Sequence, residues 1–444
     1  MQHTYTPKVG KCGFRNIGNT CYMNSVLQLL MHCKPLVSFL IKKESDNGEI
    51  SEYKNYHIQA SIESVASKKR RELKLTSDEK VSISKNDINR ELKTSITVEL
   101  AKIVDVMKEK GSSVITPATL KKVIDEKLSF FKDLIQHDAH EFLIMMLDTI
   151  IEETGIESSP TLANIPISMK NCLKKIELYE NQLKDALSLH EKKMIIEKIN
   201  ETKQENIKDV TRYNGLKYMM QEYEKKYNPF IHQLQYVIMQ TIKCVNCNYI
   251  SSTYQKNECI QIEVKDTLLE GFDELIKMED DVIYKCPICT SWCEKNPNRN
   301  ISDKVKPEDC PDKCEICYKK VVATRSDKLW RLPTILFIHL KRFYQLPNGM
   351  YVKNNKNVEI PTNIDLSPYF DEYMECEKPI PKMYKLKGFI NHMGSMNGGH
   401  YTADNVCIVD DETWYHFDDS NIYQNINGIL DTRNAYILMY ELEL

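Results

Sequence analysis

At Val237 the chain changes character, and that change constrains the fold more than any single motif. Before it, apolar residues recur at helical spacing. Val26, Leu27, Leu30 and Met31 predict a helix that begins near Thr20 or Cys21 and ends before Pro35. Short helices are expected over 96–110 and 117–128. An amphipathic helix is expected from Asp138 to Ile151, with Phe142, Leu143, Met146 and Ile150 on one side. The 48 residues between Pro166 and Gly215 hold no glycine or proline and are crowded with Lys and Glu. They read as one long helix or a helical hairpin, inserted into or projecting from the main body. After Val237 the segments 237–243, 249–254, 259–264, 334–339, 384–391, 400–409 and 414–417 are strand-like, rich in Ile, Val, Tyr and Thr. Helices first and strands second predict an α+β class. No solenoid-type repeat interrupts that order.

Composition narrows the function classes. The 444 residues include 60 Lys+Arg and 63 Asp+Glu, a formal charge of −3, so no broad basic field would hold a nucleic acid. The run from Lys68 to Arg71 reads as a solvated helix face or loop. No apolar run approaches the ~18 residues of a membrane span, and the start lacks a secretory signal. The expectation is a soluble chain in the cytoplasm or nucleus. Its 15 cysteines would then stay reduced and serve metal or thiolate chemistry before disulfides.

Three cysteine pairs lie in the strand-rich half: Cys244-x-x-Cys247, Cys286-x-x-Cys289 and Cys314-x-x-Cys317, with Cys293 and Cys310 between the last two. A CxxC turn offers two thiolates from one tight loop, and two such turns complete a tetrahedral Zn²⁺ site. An all-sulfur set with no open position points to structural zinc. Eight cysteines would hold two ions, or four would hold one, and the spacing leaves both wirings open.

Cys21 stands where a helix should start, so unpaired N–H groups and the helix dipole would favour a thiolate. Asn16 precedes it on a glycine-containing loop and would aim an amide at an oxyanion. A single such cysteine is more often a small buried hydrophobe, so the reading requires a base. His400 supplies one. It follows Gly398 and Gly399, which allow a closely approached loop. Strands over 400–409 and 414–417 would pair through Asp410, Asp411 and Glu412. That hairpin sets Asp418 or Asp419 beside the imidazole to fix its tautomer. Taken alone, the two aspartates read as a turn after a strand.

These residues carry a resemblance. The segment from Gly13 to Ser25, GFRNIGNTCYMNS, resembles the cysteine box of the ubiquitin-specific proteases, a family of deubiquitinases. Gly398–Tyr401 and Trp414–Asp419 are similar to its histidine box. Gln136–Leu143 resembles the Gln-x-Asp box, and Leu332–Phe343 the strand after its zinc region. The boxes keep the family's order from residue 13 to about 440.

The resemblance implies a papain-like fold of helical thumb, β palm and zinc-bearing β fingers in one catalytic domain over 1–444. The parts would be a thumb at 1–156, a charged helical insertion at 157–226, fingers at 227–330 and a palm at 331–444. It implies Cys21 as nucleophile, His400 as general base and Asp418 as its orienter. Asn16 and the Cys21 N–H would form the oxyanion hole, with Asp419 helping to polarise the site. Asp138 would line the channel for the ubiquitin tail, a role compatible with capping the helix that follows. Gly398, Gly399 and Tyr401 would lie along the same channel.

By distance from Leu332, Cys314 and Cys317 match the family's second zinc pair. Cys286, Cys289, Cys293 and Cys310 then form an insertion able to build a second site. The implied activity is cleavage after the C-terminal glycine of ubiquitin through a thioester, with ubiquitin and ubiquitinated proteins as partners. Another modifier ending in Gly-Gly is a second substrate reading. A zinc-stabilised, catalytically dead binder is a third, and the intact Cys21, His400, Asp418 and Asn16 set argues against it. A nucleic-acid-binding zinc finger is disfavoured, because Lys295, Arg299, Lys304 and Lys306 alternate with Glu294, Asp303, Glu308 and Asp309. The 157–226 insertion reads as a spacer or partner-binding element.

Overall fold

A computed structural model describes residues 10–41, 63, 64, 66, 68–70, 92–110, 113–162, 165–185, 189–228, 230, 233–245, 249–284, 286, 321–370, 382–395, 398–408, 413–426 and 430–443. The helical half opens with strand β1 (Cys12–Phe14) and helices α1 (Cys21–Met31) and α2 (Lys34–Leu40). Then come α3 (Ile96–Lys110), β2 (Ser113–Ile115), α4 (Ala118–Lys127) and α5 (Ala139–Thr154). Every residue of α1 is buried, so it runs through the core rather than along its surface. Asp138 caps α5 by accepting from the N–H groups of His140 and Glu141, a contribution of about 1 kcal/mol. Glu153 near the end of α5 is buried and caps α3. Its carboxylate takes the Ile96 and Thr97 N–H groups at 2.9 and 2.8 Å and the Lys127 ammonium at 2.5 Å. The lysine and hydroxyl partners outweigh its burial and hold its carboxyl below the usual range.

The charged segment forms three helices, not one or two: α6 (Ile167–Asp185), α7 (Leu189–Glu205) and α8 (Ile207–Lys225). Gly215 does not end the last of them. A β-carbon there would fall on the Trp330 ring, so this glycine is a space-maker inside a helix. Around it Met219, with Leu216, Tyr218 and Tyr223, packs on Val237, Met239, Trp330 and Tyr254. The Tyr223 hydroxyl accepts from Arg331 at 2.7 Å, and the Tyr254 hydroxyl donates to the Thr211 carbonyl at 2.9 Å. Through α8 the insertion is therefore docked on the strand-rich half.

The second half is β, as the sequence predicts. Strands β3 (Tyr236–Cys244), β4 (Ile250–Asn257) and β5 (Cys259–Glu263) lead to helix α9 (Leu268–Leu275), which Thr267 and Glu270 start with reciprocal caps. They are followed by β6 (Glu279–Tyr284), β7 (Val321–Arg331), β8 (Ile335–Lys341), β9 (Phe343–Gln345), β10 (Tyr351–Lys353) and β11 (Asn363–Asp365). The chain closes with β12 (Met383–Ser395), β13 (Gly398–Val406), β14 (Trp414–Asp418), β15 (Asn421–Gln424) and β16 (Ala435–Leu442).

Two main sheets result. One has the order β4-β3-β7-β6. The other runs β15-β14-β13-β12-β16-β8-β5, with β11 added beside β12. One core lies between the helices α1–α5 and the larger sheet, whose Phe337, Ile390, Tyr401 and Ile437 enter it. A second, on the sheet's other face, packs Leu268 and Phe272 of α9 with Phe389, Leu438 and Tyr440. Among the described residues no helix is long and apolar enough to cross a membrane.

Candidate active site

The site forms where α1 meets β13 and β14. Gly18, at φ +121°, and Asn19, at φ +51°, make the tight turn that delivers the chain to Cys21 at the first position of α1. Asn16 organises that turn. Its Oδ1 accepts from the Gly18 and Thr20 N–H groups at 3.1 and 3.2 Å and from the Thr20 hydroxyl at 3.2 Å. Cys21 is 4% exposed, and this burial overrides the helix end: it pushes the thiol pKa up, with the Asp419 charge adding to it. The backbone N–H of Tyr401 opposes that shift by hydrogen-bonding the sulfur. Desolvation thus opposes the pull toward thiolate expected from the helix start.

His400 sits on β13, and the predicted hairpin is present, with Ala403 opposite Phe417 and Asp404 opposite His416. Residues 410–412, expected to form its loop, lie outside the described residues. The Asp418 carboxylate meets His400 Nε2 at 2.7 Å. That contact leaves Nδ1 as the ring atom free to face a proton donor.

Asp419 is separate in role and conformation. At φ +48° it lies within 4.8 Å of His400 and Asp418 yet bonds Asn16 and Asn24, accepting from Asn16 Nδ2 at 2.9 Å and Asn24 Nδ2 at 2.7 Å. Its own carbonyl accepts the Phe14 N–H at 2.8 Å. Gly13 permits that approach, because a β-carbon there would strike the Ser420 backbone.

The other predicted residues surround this centre. Asp138 is the N-cap of α5, and its second oxygen receives the Tyr436 hydroxyl. The Tyr401 ring is buried against His392 at 4.5 Å between centroids, beside Tyr436. Burial lowers the His392 pKa to about 4. Gly399 has no room for a side chain, since a β-carbon would meet the His392 ring and the Met393 carbonyl; around Gly398 there is open space. His137 bonds Asp133 at 2.6 Å and packs on Tyr22, Phe130 and Phe131, a structural role.

With this geometry in view, comparison with known proteins is decisive. The family model of ubiquitin carboxyl-terminal hydrolases matches residues 12–440. The chain belongs to that family. A probable ubiquitin carboxyl-terminal hydrolase of Acanthamoeba polyphaga mimivirus is 25% identical over 97% of this chain and 90% of its own length. Ubiquitin carboxyl-terminal hydrolase 5 of Saccharomyces cerevisiae is 25% identical over 97% of this chain, which spans only 44% of the yeast protein. A chain of the SAGA Ubp8/Sgf11/Sus1/Sgf73 DUB module bound to ubiquitin aldehyde matches with TM-score 0.57 and 18% identity, covering 100% of this chain and 72% of that one. This likeness shows the fold alone, α+β and of the Ubp8 type.

Two residues of the hydrolase site escaped the sequence reading. Asn24 lies one turn after Cys21, on the same helix face, and that spacing was a usable signal. Gln136 contacts Cys21 and Gly399 across the cleft, with no local signal beyond its place in the Gln-x-Asp box.

Of the expected zinc ligands, Cys244 and Cys286 are described, both fully buried and packed together with Tyr249 and Tyr284. Two adjacent buried thiols at one end of the smaller sheet suit a thiophilic ion. Among the described residues the neighbour of Cys244 is Cys286, and both wirings stay open. Cys247, Cys289, Cys293, Cys310, Cys314 and Cys317 lie outside the described residues.

Proposed function

We propose that this chain is a deubiquitinating cysteine protease that hydrolyses the peptide or isopeptide bond after the C-terminal glycine of ubiquitin. The observation that carries the reading is the convergence of a helix-start cysteine with a His–Asp pair: Cys21 and Tyr401, next to His400, are buried in one core, while Asp418 holds the far side of the His400 ring.

From that geometry the steps follow. The resting thiol gives its proton to His400 Nδ1, and Asp418 at Nε2 stabilises the imidazolium. The sulfur then attacks the terminal glycine carbonyl. Asn16 has its carbonyl oxygen fixed by the turn and one amide hydrogen on Asp419, so its second hydrogen is available to the oxyanion beside the Cys21 N–H. Such a donor supplies roughly 3–4 kcal/mol of transition-state stabilisation. His400 returns its proton to the departing lysine amine, leaving a thioester. Water, deprotonated by the same imidazole, attacks the thioester and frees the ubiquitin carboxylate and the thiol. Asp138 would pair with cationic residues of the tail, and Gly398, Gly399 and Tyr401 would flank its glycines.

Zinc belongs to the same proposal as a structural ion at the end of the smaller sheet, with Cys244 and Cys286 as two of its ligands. The reaction is tested with ubiquitin joined to a lysine peptide through an isopeptide bond. Wild type should release the peptide and Cys21→Ala should not; release by the variant would remove Cys21 from the mechanism.

A further inference from the structure

One carboxamide ties the two halves of the catalytic centre together, and the steps above leave it unused. Gln136 lies in the turn before α5. Its Nε2 is 3.7 Å from Cys21 Sγ, and its Oε1 accepts the Gly399 N–H at 2.8 Å. Gly399 directly precedes His400. A single side chain thus reaches from the helical side to the sheet and touches both the nucleophile and the segment carrying its base.

The two ends of this tie differ in how firmly they are held. On the helical side the neighbours of Gln136 are fixed. His137 packs among three aromatic rings, one of them Tyr22, which follows Cys21. Asp138 caps α5 and holds the Tyr436 hydroxyl. On the sheet side Gly398 and Gly399 are exposed and stand at the start of β13, where pairing with Ser395 and Gly394 of β12, the latter at φ +113°, holds them from one side only. A glycine has no side chain to pack, so its backbone must be held directly.

We propose that Gln136 is a positioning residue for proton transfer between Cys21 and His400. Its Oε1 fixes the Gly399–His400 backbone, and its Nε2 donates to the sulfur as negative charge develops there. An amide N–H directed at sulfur favours thiolate over thiol, so it opposes the burial that raises the thiol pKa. Misplacing reacting groups by about 1 Å costs about 10²-fold in rate.

This inference rests on the proposed cysteine-hydrolase reading, and two readouts separate them. The first is alkylation of Cys21 by iodoacetamide as a function of pH, with no ubiquitin present. The second is steady-state hydrolysis of a ubiquitin C-terminal amide. Wild type, Gln136→Ala and the nearly isosteric Gln136→Glu are compared, with thermal unfolding as the folding control. Gln136→Ala should lower kcat by about 10²-fold with KM little changed, and should move the alkylation midpoint to higher pH. Gln136→Glu keeps an acceptor for Gly399 but puts a negative charge beside the sulfur, so its midpoint should lie higher still. A change in KM alone, with the midpoint unmoved in both variants, would overturn the proposal and make Gln136 a substrate contact only. Wild type that is alkylated yet fails to hydrolyse ubiquitin would refute the activity, while the midpoints would still decide whether Gln136 acts on Cys21.

Discussion

The catalytic seam and the smaller sheet with its docked helices are built on different principles. At the seam, directional bonds between residues far apart in sequence hold the reacting groups: Asn16 and Asn24 to Asp419, Asp418 to His400, Gln136 to Gly399. Around them lie buried side chains from both halves of the chain. The smaller sheet instead has an apolar contact with α8 on one face and a pair of buried thiols at one end. Damage at the seam should therefore appear in rate, and damage to the smaller sheet in local stability.

The largest expected effect is metal removal. Metal analysis should find at least one Zn²⁺ per chain. A strong chelator should unfold the smaller sheet, since structural zinc binding is worth on the order of 10 kcal/mol. Hydrogen exchange would then rise in β3 and β7 while α1 and β13 stay protected. Unchanged exchange in β3, or no zinc, would defeat the metal proposal.

Next comes the division between the two aspartates. Asp418→Asn should reduce kcat by about 10⁴-fold at nearly unchanged melting temperature, as expected when an imidazole loses the partner fixing its tautomer. Asp419→Ala should reduce kcat less, by about 10²-fold, and also destabilise the fold by about 1–3 kcal/mol, because the buried Asn24 Nδ2, left with the Phe14 carbonyl, loses one of its two acceptors. Equal effects on rate and melting from both variants would erase the distinction.

How much of this was legible beforehand follows from the range of the forces. The α1 and α5 helices and the β13–β14 hairpin show in local periodicity, and the cysteine and histidine boxes locate the reacting groups. Strand β7 hid behind its charges (Arg325, Asp327, Lys328), which face outward or pair at the sheet surface. The run of β16 is apolar on both faces, a pattern that does not separate strand from buried helix. Division of labour between Asp418 and Asp419 depends on partners 18 and 403 positions away, and only folding brings those together. The interruption of the charged insertion into three helices was masked by the continuous run without glycine or proline. Gly215, which bounds that run, lies inside α8 and answers to Trp330.

A pH effect should distinguish the two regions further. His32, against Phe417, and His392, against Tyr401, are buried, and each has its pKa lowered to about 4. In the unfolded chain each would titrate near 6.5, so acid protonates the unfolded state first. Their contribution is complete above about pH 6.5 and is lost as pH falls toward 4, on the order of 3 kcal/mol per histidine. Urea unfolding at about pH 7.5 and about pH 5 should therefore show a weaker seam at the lower pH, with His32→Gln reducing the difference. An identical difference in that variant would remove His32 from the account.

The smallest effect should come from Gly215→Ala. A methyl group pressed against Trp330 should cost about 1–3 kcal/mol, seen as earlier melting of the α8 contact with kcat retained. A more stable variant would show that α8 shifts freely on the sheet.

The central claim is that Cys21, served by His400 and Asp418, reacts at the C-terminus of ubiquitin. Its most direct test is intact mass after exposure to ubiquitin carrying a C-terminal thiol-reactive group. The account predicts a single ubiquitin adduct on the wild-type chain and none on Cys21→Ala. An adduct on both, or no adduct on wild type, would contradict it.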